Sequence, residues 1–225
     1  LIVLPAMLFA LWAQFRVNST FAKYSKTITH SGMTAADAAR RLLDANGLHH
    51  VSINQIPGKL TDHYDPRTCS LNLSEAVYGS SSEAAIGVAC HEAGHAIQHA
   101  DNYAPLTLRM QMVPICRIGS GLAMPLFLIG LIFAGLSALG DWLMLAGILC
   151  FSLATLFQLV TLPVEFNASR RALEGIREQH LLDDDELPGA RRVLSAAAMT
   201  YVAALATSLL TLLRLIIIAR GGRRR

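Results

Sequence analysis

Charge is scarce in this sequence. Only 16% of its 225 residues are Asp, Glu, Lys or Arg, and the formal net charge is +3. Nothing in that balance calls for a nucleic-acid partner. Cysteine is scarce too. The four, Cys69, Cys90, Cys116 and Cys150, include no C-x-x-C pair. That argues against a disulfide framework and against a thiolate zinc site. Cys90 lies one helical step, about 100°, from His91 and reads as packing. No internal repeat, low-complexity tract or long linker is present, so the elements must pack on one another directly.

Apolar sequence is abundant. The chain is 53% hydrophobic with a mean hydropathy of +0.42, which a soluble domain rarely reaches. Residues 118–139 carry no charge over 22 positions, and 142–164 none over 23. A bilayer core needs about 20 helical residues, so both read as spans. Residues 193–219 form another, with Arg214 placed near its end to snorkel. The first 15 residues are uncharged up to Arg16. No cleavage site preceded by a charged region is visible, so this run reads as an anchor rather than a signal peptide. The expected fold is a mainly α membrane protein with about four transmembrane helices. A small α+β metallopeptidase domain is inserted between spans one and two. In order, the segments are a first span (1–15), a catalytic segment (16–112), a hairpin of two spans (113–164), a helical segment (165–192), a fourth span (193–219) and a basic tail (220–225).

The polar sequence lies in 16–112 and 165–192. Residues 34–46 have the pattern of an amphipathic helix, with Thr34 as N-cap and Gly47 as its stop. "VSINQI" alternates before the Pro57-Gly58 turn, and "KLTDHYD" and "CSLNLS" read as two short strands. Ser74 or Ser82 caps a helix running from Glu83 to Ala100. Counting crossings puts residues 91–95 and 165 on one side of the membrane. Arg170, Arg171, Arg177, Arg191 and Arg192 make that side cytoplasmic by the positive-inside rule, against the vote of the basic tail.

Residues 89–100 read "ACHEAGHAIQHA". H-E-x-x-H on a helix sets His91 and His95 on one face, about 6 Å apart. Two imidazoles so placed grip one Zn²⁺, and Glu92 stands beside a water whose pKa the metal lowers. His99 is excluded as a third ligand. It lies eight residues from His91, about 12 Å along an unbroken helix, and no glycine breaks the helix after His95. The third ligand must come from elsewhere. Glu165 ends an uncharged run on the same face and is the strongest candidate. Glu174 is the runner-up, and Asp62, Asp65 and His63 are weaker alternatives. Two histidines, a carboxylate and a water make an open, catalytic zinc site.

Together "LTDHYDP", "ACHEAGHAIQH" and "LPVEFNASRRAL" resemble the YugP-type membrane zinc metallopeptidases of bacteria. That family is similar in logic to membrane proteases of the HtpX and CAAX type. The resemblance implies His91, His95 and Glu165 as zinc ligands, Glu92 as general base, and a multi-pass cell-membrane location. One departure stands out. HtpX-like enzymes place an aspartate four residues after the ligand glutamate, where this chain has Ser169; Asn167 is the nearest polar alternative. An edge strand beside the metal helix aligns substrate in such enzymes, a role open to "CSLNLS" or "KLTDHYD". His63 or Arg170 would then donate to the oxyanion, although Arg170 is equally suited to lipid head groups. The expected substrate is a peptide or membrane-protein segment, with a membrane partner controlling access. Two rivals remain: a non-catalytic membrane scaffold keeping a structural zinc, and a protease with its metal deep in the bilayer.

Overall fold

The computed structural model describes residues 2–134 and 137–222. Residues 135–136 of the first uncharged run, and the basic tail from 223 on, lie outside them. Seven helices and three strands are present among the described residues: α1 (Leu4–Tyr24), α2 (Ala35–Ala45), β1 (Ser52–Ile56), β2 (His63–Asp65), β3 (Ser70–Ser74), α3 (Glu75–Tyr78), α4 (Glu83–Ala100), α5 (Ala104–Ile132), α6 (Ala138–Glu178) and α7 (Leu187–Gly222). They form two units. One holds residues 1–12, 107–163 and 201–225, the other 13–106 and 164–200.

The second unit carries the polar sequence and its own core. In α2 the apolar positions 35, 38, 39, 42 and 43 follow helical spacing, and all five side chains are buried. Thr34 accepts from the Asp37 amide at 3.2 Å. At the other end Gly47 takes φ +71°. Its amide reaches Asp44 O and the Leu48 amide reaches Leu43 O, the paired bonds that close a helix on a left-handed residue. Leu48 and Leu43 then both join the core.

The sheet order is β1-β3-β2. β1 runs parallel to β3, and β2 antiparallel to it, with His63 opposite Asn72 and Tyr64 opposite Leu71. β3 is therefore the middle strand, and both its apolar side chains, Leu71 and Leu73, are buried. This removes "CSLNLS" as a substrate-aligning edge, because its two sides are already paired. Leu42, Leu43, Leu71, Leu73, Ile86 and Ile176 fill the centre, each contributing about 2 kcal/mol by burial. α4 is capped by Ser82, which accepts from the Ala85 amide. It packs closely on the C-terminal half of α6: a Cβ added at Gly94 would sit 2.6 Å from the Ala168 carbonyl oxygen. Only glycine permits that approach.

Three helices, each with its larger part in the first unit, are long and apolar enough to cross a membrane: Ala104–Ile132, Ala138–Glu178 and Leu187–Gly221. α1 is not among them. It is 21 residues long, and Arg16 and Lys23 charge its second half, so three of the four expected spans are found among the described residues. α6 also runs on without a break past residue 164, so the expected boundary there is not a change of element. Apolar side chains face outward: Ile118 is 66% exposed, Trp142 68% and Leu159 54%. Such a surface is costly in water and natural against lipid. Within the unit, hydroxyls bridge helices, as between Thr155 and Ser208 at 2.8 Å.

Candidate metal centre

α4 offers His91 and His95 one turn apart, with ring centroids 4.8 Å from each other and planes at 81°. α6 brings Glu165 to them. Its Oε2 lies 3.3 Å from His91 Nε2 and 3.6 Å from His95 Nε2. One donor atom from each of the three residues lies within 4.8 Å of the others. Donors about 2 Å from a common centre require mutual distances of this order.

The surrounding hydrogen bonds decide what these donors want. Arg171 Nε can only donate, and it donates to Asn167 Oδ1 at 2.9 Å. Gln98 Nε2 donates to the same oxygen at 2.9 Å and to the Val164 carbonyl at 2.8 Å. The Gln98 amide is thereby fixed in orientation, and its Oε1 must accept from His95 Nδ1 at 2.9 Å. A neutral His95 then carries its proton on Nδ1 and points a lone pair from Nε2 at the Glu165 carboxylate. Two electron-rich groups at 3.6 Å repel unless a cation lies between them. Without a metal, that cation is a proton. Burial disfavours a charged His95 ring, yet hydrogen bonding to Glu165 and the charge of Glu92 outweigh it and raise its pKa. A divalent ion meets the same demand better, with both Nε2 atoms and the carboxylate as ligands. The residues fit zinc. At His91 the orienting group is Ser169, whose Oγ lies 3.1 Å from Nδ1.

Glu92 is one residue from His91 and stands outside the ligand set. Burial pushes its carboxyl above the usual range, against the pull of the two histidines, as suits a base that must take up a proton and give it back. Its Oε2 accepts from the Tyr64 amide at 3.1 Å. A backbone N–H points one way only, so Tyr64 turns its amide away from β3. The free edge of β2 thus faces α4.

The other sequence candidates are engaged elsewhere. His99 bonds Tyr64 Oη at 2.9 Å, pinning the end of α4 to β2. Glu174 is exposed and paired with Arg170 at 3.4 Å. Asp62 accepts from the amide and hydroxyl of Ser74, and Asp65 from the Arg67 amide. His63 is exposed. Its Nδ1 donates to the Thr61 carbonyl, so Nε2 accepts from Asn72; in that state it has no N–H left for an oxyanion. Burial pushes the Cys90 thiol up to about 12, and Cys90 does not join the donor cluster of His91, His95 and Glu165. Gln98 was not singled out from the sequence. Its signal was available: a glutamine three residues after His95 on an otherwise Ala- and Gly-rich helix. A cavity of about 680 Å³ adjoins Ser169, lined by Phe166, Leu173 and Met199 together with Arg170, Arg177 and Arg191.

A family model described as "Putative neutral zinc metallopeptidase" matches residues 1–220. The chain is 47% identical over 222 residues to the "Putative membrane protease YugP" of Bacillus subtilis (strain 168), covering 99% of this chain and 96% of that protein. No solved structure matches it.

Proposed function

The chain belongs to the neutral zinc metallopeptidase family, and from that membership we propose that it is an integral membrane zinc endopeptidase. It hydrolyses peptide bonds of membrane-associated proteins or peptides. The observation that carries this reading is the convergence of His91 Nε2, His95 Nε2 and a Glu165 carboxylate oxygen within 4.8 Å, with Glu92 beside them and outside the set. A zinc ion held there supplies a Lewis acid for the scissile carbonyl and an acidified water. The chain's own residues do the rest. Gln98 and Ser169 hold the two imidazoles with Nε2 facing Glu165. Glu92 takes the proton from the attacking water and passes it to the leaving amine nitrogen. The free edge of β2 aligns the substrate backbone, with the Tyr64 amide released from Glu92 to donate to it. The arginines at 170, 171, 177, 191 and 192 favour a cytoplasmic-facing site.

The rival is a membrane scaffold with a structural zinc. Glu92 separates the two, because a purely structural site has no use for a carboxylate at that position beside its ligands. Glu92→Gln should keep one zinc per chain and lose hydrolysis about 10²- to 10⁴-fold or more. Cleavage-product proteomics in cells carrying wild-type or Glu92→Gln protein would name the substrate class. Hydrolysis undiminished in Glu92→Gln would sink the mechanism.

A further inference from the structure

The polar unit holds a second cavity, of about 570 Å³, between the C-terminal half of α1 and the start of α7. Its lining includes Arg16, Lys23, Arg191 and Arg192, with Thr20 and Tyr24 among the polar groups between them. No carboxylate lines it. The Tyr24 ring organises two of the cations. Lys23 Nζ lies 5.3 Å from the ring centroid, and Arg192 Nη1 donates to Tyr24 Oη at 2.6 Å. Lys23, Arg191 and Arg192 around one hollow repel one another, and with no carboxylate in the lining their natural complement is a multiply accepting anion.

Position along the chain says which anion. Arg16 is the first charge after an uncharged run of 15 residues, and Arg192 the last before 21 uncharged residues, 193–213. Both helices therefore change from apolar to cationic at the cavity. A charge change of that kind marks the head-group level of a bilayer. We infer that this cavity binds a phosphate group, namely the phosphodiester of an anionic membrane lipid, with Arg191, Arg192 and Lys23 as its main partners. The site is distinct from the metal centre, so lipid retention tests it without any reading of peptide hydrolysis.

The experiment uses the full chain purified in detergent and offered equal amounts of phosphatidylglycerol and phosphatidylcholine. Retained lipid is counted by native mass spectrometry. Wild-type protein should retain phosphatidylglycerol well above phosphatidylcholine. K23Q/R191Q/R192Q should lower that retention about a hundredfold, at about fivefold per cation, with the zinc content unchanged as a check on the fold. Should the triple variant fail to fold, R192Q alone should still lower retention about fivefold. A second arm replaces lipid by inorganic phosphate, read by phosphorus NMR. Saturable phosphate binding without lipid retention would overturn the lipid assignment. Equal retention of the two lipids by wild-type protein, or undiminished retention in the folded variants, would overturn the site itself.

Discussion

Gly94→Ala tests the construction of the metal centre without touching a ligand. The three nearest atoms to the added Cβ all belong to the Ala168 backbone, the closest at 2.6 Å. Backbone on a packed helix has no rotamer to change, so the two helices must part. Ordinary contact begins near 3.4 Å, which demands a separation of about 0.8 Å. Metal-ligand distances tolerate about 0.2 Å. Glu165 lies one turn before Ala168 and moves with it, and Ser169 follows. The expected loss is about 10- to 100-fold in zinc affinity. Stability should respond far less. Overpacking costs about 1–3 kcal/mol, while alanine favours helix over glycine by about 1 kcal/mol. The net fall is therefore only about 0–2 kcal/mol. Competition against a chromophoric chelator measures the first quantity, and thermal unfolding the second. Gly79→Ala, where nothing lies within 4 Å of the added atom, serves as control. A Gly94→Ala protein holding zinc within twofold of wild type would refute the argument that this glycine sets the ligand geometry.

Glu165→Ala should lose zinc by metal analysis and His99→Ala should not, because His99 is committed to Tyr64; the opposite pattern would mean that the ligand set is wrong. Gln98→Leu should weaken zinc binding about 10- to 100-fold by releasing His95, and unchanged affinity in a chelator titration would remove Gln98 from the orienting role. Glu83 is buried, and burial together with the charges of Glu186 and Asp185 raises its carboxyl pKa. A raised folded-state pKa adds stability below the unfolded value, near 4, and that stability is lost as pH rises through the folded one. Zinc-free Glu83→Gln should therefore melt higher than zinc-free wild type at pH 7, with the gap closing towards pH 4; a gap that widened in acid would contradict the sign.

Local rules made much of the fold readable. Thr34, Gly47 and Ser82 act through bonds to residues two to five positions away, so their roles were visible in the sequence. The H-E-x-x-H pair is local for the same reason, and the helix rise alone removed His99. Sheet order was not readable, because β1 reaches β3 past β2 and only tertiary packing chooses the middle strand. The role of "CSLNLS" failed there. Glu165 was legible because an uncharged run ends on it, whereas Gln98 was not, since its partners Val164 and Asn167 lie more than 60 residues away. Among the described residues three of the four expected spans are found. Fifteen uncharged residues suggest an anchor, but the helix that contains them is charged in its second half.

The departure at Ser169 now has a chemical meaning. An aspartate there would lend the His91 ring its charge and raise its basicity. Serine orients the ring without charge, and Gln98 does the same for His95. The carboxylates of the centre are then two, Glu165 and Glu92, which balance a divalent ion. A third would leave a buried negative charge unmatched. The only formal charges in the orienting network sit at its far end, where Arg171 meets Asp101, at the protein surface. The two helices are also cross-tied. α4 carries two of the candidate donors and the group that orients one of them; α6 carries the third and the group that orients the other. Parting α4 from α6 at Gly94 therefore removes a ligand and an orienting bond in one displacement. For that reason a glycine inside the five-letter motif, which holds neither a donor nor a base, still sets the geometry of this centre.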